Sequence, residues 1–201
     1  MEPSADDERQ RWNERHAATA GETRQPSAFL LKYARILPRQ GAALDIACGT
    51  GENALFLAKD MDVTAVDLSD VAIGIARQKV DRAGLGDRVR LVVQDAAAFL
   101  NTEGPGKYAL VACINYFDPA IVPGMKRVLT PGGTIVIQAF TTSDERLQAS
   151  PRVRGKLVTE AMLFEPAMLG GYWILVNEID DFIDDEGNKR QRVNVVARKP
   201  W

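Results

Sequence analysis

Three aspartates with similar surroundings are the residues most able to bind a ligand. Asp45, Asp67 and Asp95 each stand at or near the end of a short apolar run, and a Gly-x-Gly turn, Gly49 to Gly51, follows the first run. Glycines there let the backbone pass close to a ligand and adopt positive φ angles. Carboxylates that face one crevice bind donors such as an ammonium group, ribose hydroxyls or an adenine amine. The pattern predicts a nucleotide-like ligand.

The spacing of these residues supports this interpretation. Asp67 lies 22 positions after Asp45, close to the ~20-residue separation at which an acidic residue meets ribose hydroxyls in nucleotide-binding folds. Two alternatives stay open. The glycines could form an ordinary strand-to-helix connection, and Asp95 could simply cap the following helix.

Strands alternating with helices would bring these residues together. A polar segment begins at Trp12, and the apolar residues that follow it recur at helical spacing up to Pro38, which predicts a helix that ends there. Residues 1 to about 12 are expected to fray. Five apolar runs then predict strands at 43–47, 62–67, 88–95, 108–114 and 134–140. The intervening segments predict helices, among them 70–84, a helix after Asp118 broken by Pro123 and Gly124, and a turn at 131–133.

The last third of the chain changes pattern. Residues 172–184 and 189–199 read as a long hairpin around the turn 185–188. We therefore predict an α/β, doubly wound, seven-stranded, mostly parallel sheet with helices on both faces and a C-terminal antiparallel hairpin. Residues 1–38 are expected to form an N-terminal lid or helix region, and residues 39–201 a single domain.

Composition narrows the function classes. The 201 residues are 46% hydrophobic, enough for one core, and 25 basic against 27 acidic residues give a net charge of -2. No strong positive field is available for a phosphate backbone, so we expect no nucleic acid partner. An acidic N-terminus without a long apolar run predicts a cytoplasmic protein with no membrane segment. Two distant cysteines and one histidine favour neither a disulfide framework nor a metal site.

With these motifs in place, residues 40 to 199 resemble a class I S-adenosylmethionine-dependent methyltransferase with a Rossmann-like sheet. The resemblance implies that Asp45, Gly49 and Gly51 cradle the methionine end of the cofactor, that Asp67 holds the ribose and that Asp95 lies near the adenine. The full set of cofactor-binding residues predicted in this way is Trp12, Arg15, Asp45, Ala47, Cys48, Gly49, Thr50, Gly51, Asn53, Asp67, Leu68, Asp95, Ala96, Ala97 and Ile114.

Within that family, the runs CGTGENALFLA and DVTAVDLSDVAIGIA and the opening WNERH look most like the small single-domain enzymes related to tellurite-resistance methyltransferases. The resemblance implies that Trp12, Arg15 and His16 close over the cofactor as a lid. A plain surface helix start is the alternative. The acceptor is expected to be a small molecule, whose identity this resemblance does not fix.

Two other functions stay open at this point. Residues 49–54 also satisfy Gly-x-Gly-x-x-Ala, the fingerprint of an NAD(P)-dependent oxidoreductase. Asp45 opposes that interpretation, because it would place negative charge near a pyrophosphate, whereas a methionine ammonium tolerates it. The other alternative is a non-catalytic cofactor-binding protein of the same fold.

The acceptor side of the site is less defined. Tyr116 and His16 are the candidate catalytic residues, and Asn115 and Tyr116 are candidate acceptor contacts. The alternative is that Asp118 caps the start of a helix and Tyr116 is simply packed. Cys48 and Cys113 end neighbouring strands, so we expect them to lie close together as inert buried thiols. The basic residues at 152, 154 and 156 could contact an anionic acceptor, but scattered surface charge is the preferred interpretation. A monomer or weak homodimer is the expected oligomeric state.

Overall fold

The computed structural model describes residues 4–141, 157–183, 187 and 189–201. Over these residues the sheet has seven strands in the order β3-β2-β1-β4-β5-β7-β6. The strands are β1 Ala42–Ile46, β2 Asp62–Asp67, β3 Val89–Val93, β4 Tyr108–Ile114, β5 Leu129–Phe140, β6 Trp173–Ile183 and β7 Lys189–Arg198. The pairs from β3 to β5 are parallel, and β7 runs antiparallel to both of its neighbours. The predicted fold class is confirmed.

Short helices connect the strands. They are α1 Ala5–Ala18, α2 Ala28–Lys32, α3 Glu52–Leu57, α4 Asp70–Arg82, α5 Ala96–Thr102, α6 Val122–Val128 and α7 Glu160–Leu163, with 3-10 turns at Ala34–Ile36 and Pro119–Ile121. None of the helices in the described part of the chain is long and apolar enough to cross a bilayer.

Two apolar clusters cover the two faces of the sheet. On one face, Phe29 of α2, Leu57 of α3 and Ile73 of α4 pack against the strands. On the other face, Phe99 of α5 and Met125 of α6 do the same. Because both faces of the parallel strands are covered, the carboxyl ends of β1, β2 and β4 form the accessible edge where ligands bind in such folds.

The N-terminus differs from the prediction. Residues up to about 12 were expected to fray, but α1 begins at Ala5, where Ser4 and Asp7 form a capping box. The prediction missed this helix because α1 buries no side chain and therefore has no apolar periodicity to reveal it. The apolar helix predicted before Pro38 is present only as the short α2 and the following 3-10 turn.

Two details around β5 also differ. Pro123 was expected to break a helix, but it lies in the first turn of α6. Backbone amides in the first turn make no hydrogen bond within the helix, so a proline is tolerated there. The predicted turn at 131–133 is a bulge within β5, where the pairing shifts from Tyr108 with Leu129 to Leu110 with Thr134. The basic residues 152, 154 and 156 lie outside the described residues, as do positions 184–186 and 188 of the hairpin turn.

Candidate cofactor-binding site

The glycine turn after β1 has the geometry of a close backbone approach. Ala47, Gly49 and Gly51 have φ angles of 53°, 54° and 86°, all in the left-handed region. A Cβ added at Gly51 would lie 3.0 Å from the Cβ of Ala76 in α4. Gly51 therefore meets two demands, a left-handed backbone and tight packing against α4.

We predict that Gly51→Ala destabilises the protein by about 1–3 kcal/mol, because it adds left-handed strain to a contact that is already tight. Gly74→Ala is the matched control, because Gly74 lies within α4 and has no atom within 4 Å of an added Cβ. The control is expected to be neutral or to stabilise by up to about 1 kcal/mol. Urea unfolding of both variants measures the difference, and equal midpoints would show that the turn tolerates a side chain.

Asp67 is fixed in place by two backbone donors. The amide of Gly49 donates to its Oδ2 at 2.8 Å, and the amide of Ser69 donates to its Oδ1 at 2.9 Å. The side chain is 8% exposed at the end of β2. Each oxygen keeps a further lone pair, so a carboxylate held in one orientation is available to two neighbouring hydroxyl groups.

Asp45 is buried beneath the same turn. It is 1% exposed, and its Oδ2 has no hydrogen-bond partner among the described residues. Burial, with the nearby charges of Asp67 and Glu52, raises its pKa to about 8. A buried oxygen without a partner is costly. The site is therefore suited to a cationic or donor group at this position.

The N-terminal helix lies over this edge of the sheet. Asn13 Oδ1 accepts from the Ser69 hydroxyl at 2.6 Å, and Asn13 Nδ2 donates to Asp70 Oδ1 at 2.7 Å. One turn later, His16 Cε1 lies 3.5 Å from the position of a Cβ added at Gly49. Asn13 thus fixes α1 to the start of α4, with His16 beside the glycine turn.

Comparison with known proteins agrees with this geometry. A family model described as a methyltransferase domain matches residues 43–133, which run from β1 through the bulge of β5. Together with the fold, this match supports a class I S-adenosylmethionine-dependent methyltransferase domain at these residues. S-adenosylmethionine is the cofactor of this class.

One curated relative and one solved structure show how far the similarity extends along the chain. The candidate methyltransferase YqeM of Bacillus subtilis (strain 168) is 31% identical over 114 residues, which are 53% of this chain and 45% of that protein. The chain thus spans less than half of this relative. A structure described as "Conversion of a Disulfide Bond into a Thioacetal Group during Echinomycin Biosynthesis" is 25% identical, with a TM-score of 0.66 over 88% of this chain and 83% of that one.

TehB from Haemophilus influenzae has the same fold. Its TM-score is 0.71, at 21% identity, over 94% of this chain and 67% of that chain. At this identity the likeness concerns the fold alone, so the finer resemblance to tellurite-resistance enzymes stays a prediction.

The residues of the methyltransferase domain fit the cofactor. The unpartnered Oδ2 of Asp45 suits the ammonium of its methionine end, the turn at Gly49 and Gly51 leaves room for close contact, and the fixed carboxylate of Asp67 suits the ribose hydroxyls. Thr50 and Cys48 of the same turn are buried, and the Thr50 hydroxyl donates to Glu52 at 2.7 Å.

Other predicted residues lie along the same edge with different roles. Asp95 is exposed and caps α5, since its Oδ1 accepts from the amide of Ala98 at 2.9 Å. Asn53 accepts from the amide of Ser27 at 2.9 Å, so its oxygen holds the segment before α2. Of the remaining predicted residues at this edge, Ile114 and Ala96 are buried, Leu68 is half-buried and Ala97 is exposed.

The predicted lid residues differ in their surroundings. Trp12 is half-buried and stacks on His16 with ring centroids 5.9 Å apart, whereas Arg15 is exposed and lies 5.5 Å from the Trp12 ring. Burial lowers the pKa of His16, although Asp67 acts in the opposite direction. The imidazole beside the turn is therefore mainly neutral at pH 7.

The two cysteines lie on opposite faces of the sheet. Cys48 packs with Ala112 and Ile114, whereas Cys113 packs with Ile46 on the other face. The expectation that they lie close together beside the cofactor is wrong for their side chains, because the left-handed turn at Ala47 redirects the chain before Cys48. Burial raises the pKa of both thiols, which fits inert cysteines.

The acceptor side of the methyltransferase domain begins where β4 ends. Asn115 has a φ of 59° and is exposed, while Tyr116 is half-buried. The Cys113 thiol donates to the carbonyl of Tyr116 at 3.0 Å. Burial, with the carboxylates of Asp118, Asp95 and Glu8, raises the pKa of Tyr116, which is thus a neutral phenol at physiological pH.

Sequence reasoning missed several residues that organise this edge. Asn13 was named only as part of the motif before the first predicted helix, and its contacts with Ser69 and Asp70 join segments more than 50 positions apart. Arg192 of β7 reaches Asn115 at the end of β4. Of these residues, Ser69 has a local sequence signal, because it is a serine directly before a helical run, and it caps α4.

Proposed function

We propose that the protein transfers the methyl group of S-adenosylmethionine to a small-molecule acceptor. The observation that carries this proposal is the unpartnered oxygen of Asp45 beneath the glycine turn, beside the fixed carboxylate of Asp67. A sulfonium cofactor supplies the electrophilic methyl group. The protein's part is to orient the acceptor and exclude water.

A small acceptor is compatible with the position of α1 over the carboxyl-end edge of the sheet. Because α1 lies over the turn and the start of α4, we place the acceptor beyond the ends of β4 and β5. The matched structure that concerns a thioacetal group in echinomycin biosynthesis supports a small-molecule acceptor. The predictions of a cytoplasmic monomer or weak homodimer without a nucleic acid partner remain predictions.

Ligand-induced thermal stabilisation tests the cofactor assignment. The purified protein is melted with S-adenosylmethionine, S-adenosylhomocysteine, NAD or NADP, each at ~100 times a typical dissociation constant, where binding adds about 2.7 kcal/mol. We expect a shift with the two adenosyl-sulfur compounds only. A shift with NAD alone would establish the oxidoreductase alternative. Cofactor binding without methylation of any acceptor in a broad panel would favour the non-catalytic alternative.

We also propose that α1 is a lid, with Trp12 and His16 over the methionine end of the cofactor and Tyr116 in contact with the acceptor. His16 Cε1 lies 3.5 Å from the position of a Cβ added at Gly49, and the side chain of Asn13 fixes α1 to Ser69 and Asp70. In this arrangement His16 packs over the cofactor as a neutral ring.

The lid proposal predicts that Asn13→Ala weakens S-adenosylhomocysteine binding about tenfold, which is about 1.4 kcal/mol, because the lid then closes at a greater cost. The melting temperature without ligand is expected to stay unchanged, since α1 buries no side chain. Gln10→Ala is the matched control, because the side chain of Gln10 donates to Glu14 within the same helix. Unchanged affinity of Asn13→Ala in calorimetric titration would show that α1 is not a lid.

A further inference from the structure

The glycine turn is joined to α4 by a half-buried ion pair. Glu52, the first residue of α3, pairs with Lys79 of α4. The side chain of Glu52 is only 15% exposed, and that of Lys79 is 25% exposed. The Thr50 hydroxyl lies 2.7 and 2.9 Å from the two carboxylate oxygens of Glu52 and donates to this carboxylate. A chain of contacts thus runs from Lys79 through Glu52 to Thr50, the residue between the two glycines of the turn.

The turn needs such an anchor because glycine restrains the backbone poorly. Gly49 and Gly51 can each adopt many conformations, so the turn loses much conformational freedom when it is held in one of them. On the β2 side, Asp67 accepts from the amide of Gly49 at 2.8 Å. On the α4 side, Glu52 holds the hydroxyl of Thr50. Asp67 is also a ribose ligand in the proposed site, whereas the second anchor consists of side chains that the proposed function leaves unused.

The partners of Glu52 keep it charged. Burial acts to raise the pKa of Glu52, but the hydrogen bonds from Lys79 and Thr50 outweigh this effect and lower the pKa. Glu52 is therefore a carboxylate, which can accept from both donors at once. A desolvated ion pair adds little stability over a well-packed apolar pair, but it requires its two partners to keep one geometry. Such a pair next to a flexible turn is suited to positioning.

We propose that Lys79 and Glu52 are positioning residues for the cofactor, which hold Thr50 and thereby keep the glycine turn in its binding conformation before any ligand arrives. This proposal rests on the proposed methyl transfer. Neither side chain has to contact the cofactor in this role. Without the chain of contacts, the turn would sample other conformations, and cofactor binding would have to order it at a cost in affinity.

Lys79→Met tests the chain of contacts at the end farthest from the turn. The change keeps the apolar stem and removes the charge that holds Glu52. We expect the affinity for S-adenosylhomocysteine, titrated calorimetrically into the full chain, to fall about tenfold. Lys79→Arg restores the charge and the donors, and it is expected to bind within about twofold of wild type. Arg77→Met, at an exposed position of α4, is the matched control and is expected to change nothing. Wild-type affinity in Lys79→Met overturns the proposal.

A second variant tests the other end and leaves the ion pair in place. Thr50→Val keeps a branched side chain and removes the hydroxyl that Glu52 holds. It is expected to weaken S-adenosylhomocysteine binding about as much as Lys79→Met, and it serves as the test if Lys79→Met does not fold. The double variant is expected to bind no more weakly than the weaker single variant, because both changes break the same chain. Losses that add in the double variant overturn the proposal.

Hydrogen exchange in the ligand-free protein separates positioning of the turn from general stability. The amides of Gly49 and Gly51 donate to Asp67 and to the carbonyl of Cys48. In Lys79→Met we expect the exchange of both amides to accelerate about five times more than that of the amides of β1. Equal acceleration in the turn and in β1, or none in the turn, overturns the proposal. A wild-type protein that does not bind S-adenosylhomocysteine refutes the proposed function, whereas the exchange rates still test the anchor.

Discussion

Asp67→Ala is expected to reduce the affinity for S-adenosylhomocysteine by at least about 100-fold. The carboxylate is held by the amides of Gly49 and Ser69, so its position is set before any ligand arrives. Hydrogen bonds to a charged group contribute about 1.5–3 kcal/mol each, and two ribose hydroxyls would lose theirs together. The glycine turn would also lose the anchor that joins it to β2.

Calorimetric titration measures this effect, with urea unfolding as the check on the fold. Asp62→Ala is the matched control, because Asp62 begins the same strand at the opposite edge and its side chain is 77% exposed. Asp67→Asn is a second variant that keeps one acceptor oxygen and the side-chain shape. If both Asp67 variants bind S-adenosylhomocysteine as tightly as wild type while remaining folded, the ribose is held elsewhere.

The glycine turn and the first two aspartates could be predicted because their signals are local. A buried strand, Gly49 and Gly51, and an acidic residue at the end of the next strand are all visible in the spacing. Asp95 shows the limit of this reasoning. It lies where the pattern placed it, yet it caps α5 with one oxygen. The spacing of residues in the sequence predicts where a side chain lies in the fold, whereas its hydrogen-bond partners depend on how the elements pack.

The features that sequence reasoning missed depend on contacts between distant segments. The contact of Asn13 with Ser69 and that of Arg192 with Asn115 have no local pattern. The helix α1 was missed for a different reason. Its stability comes from the Ser4 capping box and from pairs such as Arg11 with Glu8 at 2.9 Å, not from an apolar face. The capping box was the signal that could have revealed it.

Asp45→Asn is expected to stabilise the ligand-free protein at pH 8 and to weaken cofactor binding. Burial is the main reason that the pKa of Asp45 is raised to about 8 from its ordinary 3.8. In the unfolded chain Asp45 loses its proton near pH 4, whereas the folded protein keeps the proton up to about pH 8. Between these values the unfolded state binds fewer protons, so the free energy of unfolding falls as pH rises.

Asparagine cannot ionise, so the free energy of unfolding of Asp45→Asn does not fall in this way between pH 4 and pH 8. Its advantage over wild type is expected to be small at pH 4 and to grow to at most on the order of 5 kcal/mol at pH 8. Urea unfolding at pH 4, 6 and 8 measures it, with Asp62→Asn as an exposed control that adds no such slope. A parallel pH dependence of wild type and Asp45→Asn would mean that Asp45 is already ionised in the free protein.

The same variant separates stability from function. A bound ammonium group would stabilise the charged form of Asp45 and lower its pKa, so cofactor binding would release a proton from this side chain between pH 5 and 8. Asp45→Asn, which cannot pair with the ammonium as a charge, is expected to bind S-adenosylhomocysteine at least tenfold more weakly at pH 8. A variant that is more stable but binds less well would show that the unpartnered carboxyl group is retained for the ligand at a cost to the fold.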